Sequence, residues 1–357
     1  MVRFLIRAGI TIVVASLVLG ASALTYRAWR QHETAQLLAI DTSRGIREAS
    51  FVRLGGIDQW VQIRGEDRNN PVLLILAGGP GNSLVPLTPV FRRWEKLFTV
   101  VQWDQRGAGR TYGRNADLEA SMTIDRMVDD GLELARYLLD HLHARKVILI
   151  GHSWGTVLGV RMIKARPEMF AAYVGTGQVV AKEEKEEILY ARLMEKVRAA
   201  HDDDGIAKLD AIGAPPYKTQ HDLLIERDVS ERYDTEAERN LEATLRPVVL
   251  FAPDFSLRDI YTMLQGSKFA GNAIYPEMLT YDARKLGPRF DVPFFIFNGD
   301  RDLVTPSDLA KQYFDTIEAP QKDFVVLEGG GHSALLTMPD RFLSELVARV
   351  RPLAAAY

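Results

Sequence analysis

Apolar residues follow different rhythms along this chain. From residue 72 onward they repeatedly form short runs with no polar break, each stopped by glycine or an acidic turn. "VLLILA" (Val72 to Ala77) runs into "GGPGNS", and "FTVVQW" runs into "DQRGAGRT". "VILI" (Val147 to Ile150) runs into "GHSWGT", and "FAAYVGTG" follows from Phe170. "VPFFIFNGD" and "KDFVVLEGGGHS" repeat the pattern late in the chain. Such runs read as strands buried on both faces, followed by tight loops. Upstream, "ASFVRLGGIDQWVQIRGED" reads as two strands around Gly55-Gly56, a hairpin. Between the runs the period changes. Ile124, Met127, Val128, Leu132, Leu134, Ala135, Leu138 and Leu139 predict a helix over 124–143. Residues 154–166 predict another, closed near Pro167, and a last helix runs from about Pro339 to Arg351. Alternating strand and helix predict an α/β fold with a mainly parallel sheet and helices on both faces.

Residues 179–288 break this rhythm. They hold no convincing strand and are charged and helical, interrupted at Gly205, Gly213, Pro215-Pro216, Pro247, Pro253 and Pro276. They read as a helical cap inserted into a core formed by residues 45–178 and 289–357. The first 30 residues differ again. Arg3 and Arg7 precede an apolar run from Ala8 to Leu24, and Tyr26, Arg27, Trp29 and Arg30 follow it. The run fits a single membrane anchor with aromatic residues at the interface. It also fits a signal peptide cut after Ala21-Ser22-Ala23. Either predicts a catalytic domain at a membrane or exported, for example periplasmic; the anchor is the reading carried forward. Residues 31–49 read as a polar linker.

Composition narrows the function. With 47% hydrophobic residues, 357 residues can bury a large core. A net charge of −3 offers no basic footprint, so no nucleic-acid partner is expected. The absence of cysteine excludes thiol nucleophiles, thiolate metal sites and disulfides. The expected partner is a small-molecule or short-peptide substrate, with the membrane a second partner if the N-terminal segment is retained.

The chemistry centres on "GHSWGT". A buried strand enters Gly151 and a helix follows Ser153, the strand–turn–helix setting of a nucleophile elbow. Gly151 and Gly155 are expected because so tight a turn leaves no room for side chains. A serine hydroxyl is a weak nucleophile and needs a base. Of seven histidines, His32 falls in the linker, His141 and His143 at a helix end, His201 and His221 in the insertion, and His152 inside the elbow. His332 follows the last strand in the glycine-rich loop "EGGGHS", which can carry an imidazole over the sheet edge. Its acid partner is expected at the carboxyl end of the preceding strand, where open α/β sheets place their sites. Asp300 and Asp302 lie there; Asp302 is chosen, because Asp300 follows Gly299 directly and suits a backbone bond or Arg301. The order Ser153, Asp302, His332 is that of the α/β-hydrolase arrangement. The oxyanion needs two backbone donors. They are expected from Trp154, after the nucleophile, and from Gly79, in the loop after the first buried strand. No metal or organic cofactor is required by this set.

Taken together, "GGPGNS", "WDQRGAGRT", "GHSWGT", "GDRDLVTP" and "GGGHS" resemble the α/β-hydrolase superfamily, and within it the proline iminopeptidase-like group, over roughly residues 50–178 and 289–350. The resemblance implies Ser153 as nucleophile, His332 as base, Asp302 as its orienting acid, Gly79 and Trp154 as the oxyanion hole, and a structural role for Asp104 to Gly109. It implies a serine hydrolase that forms an acyl-enzyme and removes an N-terminal residue from a small peptide. Two positions depart from the group: Ala77 stands where histidine is usual, and His152 where glycine is usual. Iminopeptidases hold the substrate amine with cap carboxylates, for which Glu183, Glu184, Glu186, Glu187, Glu195 and Asp202 to Asp204 are candidates here. The same triad also fits a carboxylic-ester or small-amide hydrolase, and the fold fits a non-catalytic ligand-binding protein. Epoxide hydrolases and dehalogenases use aspartate at the elbow, so Ser153 argues against both.

Overall fold

The computed structural model describes residues 2–115, 118–217 and 219–355. An apolar helix, α1 (Val2–Leu37), leads into the hairpin β1 (Ile46–Leu54) and β2 (Ile57–Gly65), which turns at Gly55-Gly56. Strands β3 (Val72–Leu76) and β4 (Thr99–Trp103), helix α2 (Ile124–His141), strand β5 (Val147–His152), helix α3 (Trp154–Ala165) and strand β6 (Phe170–Thr176) follow. The inserted segment comprises α4 (Lys182–Ala199), α5 (Asp203–Ile212), α6 (Gln220–Glu231), α7 (Leu241–Leu250) and α8 (Leu257–Met278), with a short helix over Glu236–Arg239. Strand β7 (Phe294–Gly299), α9 (Ser307–Thr316), β8 (Lys322–Leu327) and α10 (Pro339–Glu345) complete the core, and helical turns continue to Ala355.

The sheet has eight strands in the order β1-β2-β4-β3-β5-β6-β7-β8. The hairpin pairs antiparallel and joins β4 antiparallel; every pairing from β4 through β8 is parallel. Alternation within β3 shows why the run is unbroken: Val72, Leu74 and Leu76 enter the core on one side of the sheet, and Leu73 and Ile75 enter the core on the other. Both faces are covered, so no polar position is tolerated along the strand.

Two expectations are corrected. The polar stretch after residue 30 is helix as far as Leu37, not linker. "QHETAQL" contains neither glycine nor proline, so polarity there marks a helix surface rather than a break. This part of α1 docks on the loop after α7. Arg27 donates from Nη2 to the Phe255 carbonyl (2.5 Å), and Gln31 donates to the carbonyls of Ala252 (2.7 Å) and Phe255 (2.9 Å). Pro247 and Pro276 do not interrupt the insertion either; both lie inside helices, α7 and α8. Pro276 falls in the last turn of α8, where the missing N–H costs one ladder bond and the helix is about to end.

Helix α8 seats the insertion on the core through small residues. A Cβ on Gly266 would stand 2.7 Å from the Gly107 carbonyl oxygen, and one on Gly81 would stand 2.8 Å from the Ala270 Cβ. The helix backbone therefore lies directly against the loops that follow β3 and β4.

Candidate active site

The site is built where β5 ends. Ser153 has φ 51° and ψ −117°, a left-handed conformation that a serine adopts only when its surroundings impose it. Its N–H donates to Thr176 O (2.9 Å), and its carbonyl accepts from the amide (2.8 Å) and the hydroxyl (2.7 Å) of Thr156. The flanking glycines are sterically required. A Cβ on Gly151 would lie 2.7 Å from the Gly155 carbonyl oxygen, and one on Gly155 would collide with the carbonyl of Leu76.

Loops after β7 and β8 bring Asp302 and His332 together. His332 Nδ1 lies 3.0 Å from Asp302 Oδ2 and 3.2 Å from Oδ1. A carboxylate only accepts, so Nδ1 carries the proton and Nε2 is left as the base. Asp302 is buried and fully engaged. Oδ1 accepts from the amides of Val304 (2.8 Å) and Thr305 (2.7 Å), and Oδ2 accepts from the Thr305 hydroxyl (2.5 Å). Burial pushes its pKa up; the charge of His332 and the bonds from His332 and Thr305 outweigh that and hold it below the usual carboxylate value. Asp300 accepts from the Gly329 amide (2.7 Å), a backbone bond.

Gly177 sets the position of the imidazole. Its N–H donates to Asn298 Oδ1 (2.7 Å), its φ is +56°, and a Cβ there would stand 2.8 Å from His332 Cε1. Among the described residues the Ser153 hydroxyl makes no hydrogen bond, to His332 or to any other group. The segment 176–177 links them indirectly: the Thr176 carbonyl accepts from the Ser153 amide, and Gly177 lies against the His332 ring.

The expected oxyanion donors flank Ser153. Trp154 is the first residue of α3, so its N–H has no partner within the helix. Gly79 has φ +123° and is exposed at the mouth of the site. A Cβ there would stand 2.7 Å from Gly81 N, so the loop tolerates glycine alone. Within the Asp104 to Gly109 segment, for which the resemblance implies a structural role, one residue ties these pieces together. Gln105, from "DQRG", accepts from the Trp154 indole (3.0 Å) and donates to the Ala77 carbonyl (3.3 Å). Arg106 beside it forms a fully buried bidentate pair with Asp130, at 2.8 and 3.2 Å. A polar "DQR" after a buried strand was the available signal.

His152 is buried against His332: its Nε2 lies 3.2 Å from the His332 carbonyl oxygen, and the rings are 5.2 Å apart. Burial, and then the charge of His332, lower its pKa to about 4, so it is neutral at physiological pH.

A cavity of about 130 Å³ lies over Ser153. Gly79, Trp154, Val304 and Thr305 contribute to its core side, and Lys182, Lys185, Arg227, Ile274, Tyr275 and Met278 are among the residues of the insertion that close it. None of the acidic candidates from the insertion lines it. Glu186 pairs with Lys182, Glu184 with Arg284, and Asp202 and Asp204 with Arg232. Among the described residues no cluster suited to a metal ion occurs.

A strand–turn–helix serine, a buried carboxylate–imidazole pair and free amides beside one cavity, on an eight-stranded sheet of this order, define a class. The chain belongs to the α/β-hydrolase fold family, which it matches over residues 71–339. Within that family it is similar along most of its length to the probable aminopeptidase YbaC of Bacillus subtilis strain 168, at 31% identity over 316 residues, 87% of this chain and 99% of that protein. A probable proline iminopeptidase of Streptomyces coelicolor is 33% identical over 106 residues, 29% of this chain and 32% of that protein. The solved structure of a proline iminopeptidase-related protein from Thermus thermophilus has the same fold, with a TM-score of 0.56 at 22% identity over 86% of this chain and 99% of that one. The relatives are hydrolases, the chain is an enzyme of that class, and the group is the one its motifs resemble.

Proposed function

We propose that the chain is a serine hydrolase in which Ser153 attacks a small amide or ester carbonyl. His332 Nε2 takes the hydroxyl proton, and Asp302 holds the ring in the required tautomer and stabilises the imidazolium. The amides of Gly79 and Trp154 receive the oxyanion, and the tetrahedral intermediate collapses as His332 protonates the leaving group. Water activated by the same imidazole then releases the acid from the acyl-enzyme. In this reading the Ser153 hydroxyl meets Nε2 in the substrate complex, where catalytic hydrogen bonds that are absent from the free enzyme commonly form. Helices α4 to α8 act as a cap over the acyl site. The observation that carries this reading is Ser153 held at φ 51° on the cavity floor, with a carboxylate-anchored imidazole beside it.

The names of the relatives support a small peptide as substrate, cleaved after its N-terminal residue. One observation favours an ester or a simple amide instead: among the described residues no carboxylate lines the cavity to hold an α-amine. A panel of aminoacyl-naphthylamides, proline included, against short acyl esters separates the two. Hydrolysis of the naphthylamides supports the aminopeptidase reading, and hydrolysis of esters alone removes it.

The N-terminal helix, long and apolar enough to cross a membrane over Ile6–Leu37, acts in this reading as a retained anchor. Its last turns continue into contacts with the α7–α8 loop, which supports a fixed place for the catalytic domain beside the membrane. Recovery of the full chain in the membrane fraction after a carbonate wash tests this; release of the full chain by the wash contradicts it.

A further inference from the structure

The cavity over Ser153 is closed by cations. Lys182 and Lys185 enter it from α4, and Arg227 enters it from α6. Their partners are unequal. Lys182 is paired with Glu186, one turn on, and lies over the Tyr275 ring, 5.4 Å from its centroid. Lys185 is 4% exposed and, among the described residues, has neither a hydrogen bond nor an ion pair. Arg227 likewise has no ion pair among the described residues, and its Nη1 is buried without a partner. A buried cation without a counter-ion is costly, so a lysine held there gives up its proton readily and regains it when an anion is bound beside it.

Among the described residues no acidic group forms an ion pair with Lys185 or Arg227, although the charges of Glu226 and Asp302 reach Lys185. Glu186 is taken by Lys182. Glu226 does not line the cavity: one oxygen accepts from the Tyr217 hydroxyl (2.7 Å), the other is buried without a partner, and its charge reaches Lys182 and Lys185 without forming an ion pair with either. Asp234 and Glu238, the acids of the insertion whose charges reach His332, accept from the backbone amides of Thr235 and Ser333 and do not line the cavity. Among the described residues its walls therefore present two lysines and an arginine and no carboxylate.

We propose that the Ser153 cavity binds a substrate carrying its own carboxylate, and that Lys185 and Arg227 hold that carboxylate while the neighbouring acyl carbonyl meets the hydroxyl. The inference rests on the serine-hydrolase reading and adds the substrate class: a small ester or amide of a dicarboxylic or otherwise anionic acid. Arg227 supplies a guanidinium that stays charged and matches a carboxylate in geometry. Lys185, pushed well below the usual lysine value by burial and by the charges of Arg227 and Lys182, regains a counter-ion when the anion enters.

The test compares mono-2-naphthyl glutarate with its methyl diester, which matches it in length and lacks the charge. Full-chain protein in detergent is used, as wild type, Lys185→Met, Arg227→Gln and Arg227→Lys. The quantity read is the ratio of kcat/KM for the two esters within each protein, so a general loss of activity cancels. Wild type is expected to favour the anion by about ten- to a hundredfold, the range of charge-assisted hydrogen bonds. Lys185→Met and Arg227→Gln should each bring the ratio toward one, and Arg227→Lys should keep part of the preference. Lys185→Met replaces a buried amine that has no hydrogen bond or ion pair among the described residues, so its melting temperature should not fall. A wild-type ratio near or below one, or a ratio indifferent to both charge-removing variants, overturns the proposal while leaving the hydrolase reading intact. Hydrolysis of neither ester, with no labelling of Ser153 by a fluorophosphonate, overturns both.

Discussion

Arg106→Met probes the loop that supports the site. The guanidinium lies at 1% exposure and makes two bonds to Asp130, at 2.8 and 3.2 Å, one to the Gly55 carbonyl (2.8 Å) and one to the Ser121 hydroxyl (3.0 Å). Methionine fills similar volume and leaves the Asp130 carboxylate in the core with Gln59 (2.8 Å) and Arg126 (2.9 Å) as remaining donors. Removing one partner of a buried pair costs about 3–5 kcal/mol. The surviving donors place this case at the low end, about 3 kcal/mol. Urea unfolding of the full chain in detergent, followed by tryptophan fluorescence, should show a lower midpoint with an unchanged slope. Arg106→Met/Asp130→Leu, which removes both charges, should recover part of the loss. A single-variant cost below about 1 kcal/mol, or a double variant worse than the single, refutes the reasoning. Gln105 adjoins Arg106 and bonds both Trp154 and Ala77, so esterase activity should fall as well.

Asp302→Asn should lower kcat by about 10³–10⁴-fold with little change in melting temperature. The amides of Val304 and Thr305 hold the Asn oxygen at the Oδ1 position, so its NH₂ faces His332 Nδ1 and forces the proton onto Nε2. Gly177→Ala places a methyl 2.8 Å from His332 Cε1 at φ +56°, and kcat should drop about 100-fold through a displaced imidazole, with a melting temperature only a few degrees lower. Asp104 is fully buried, and burial pushes its pKa up to about 6. The unfolded carboxyl ionises first, so this group's contribution is complete below about pH 4 and is lost as pH rises through about 6. Asp104→Asn should therefore gain stability relative to wild type between about pH 4 and about pH 7.5, by at most about 3 kcal/mol, measured by urea unfolding at both values.

The parts of the fold that local pattern encodes were readable. Strands such as Val72–Leu76 and Val147–His152 are apolar at nearly every position because both sheet faces are covered, and their short length and the glycines that stop them separate them from a buried helix segment. The glycines of "GHSWGT" announce a turn too tight for side chains, and the backbone at Ser153 has that geometry. What was not readable depends on approach between distant segments. Gly177 looks like any strand-end glycine until the loop after β8 lays His332 against it. Thr305 gains its role from Asp302 turning back on its own loop. Gln105 joins three segments that no periodicity links. Lys182 and Lys185 sit in a run, "KEEKEE", whose composition matches a solvated helix face, yet that face is turned into the cavity. The stretch after Arg30 misled for the converse reason, since polarity alone does not separate a linker from a docked helix.

Every step of the proposed chemistry begins at the Ser153 hydroxyl. Full-length protein treated with a fluorophosphonate probe and analysed by intact mass and peptide mapping should carry one phosphonyl adduct, on Ser153. Ser153→Ala should take up no adduct and should hydrolyse neither esters nor naphthylamides. Wild type that remains unmodified, an adduct mapped to another residue, or turnover retained by Ser153→Ala contradicts the account.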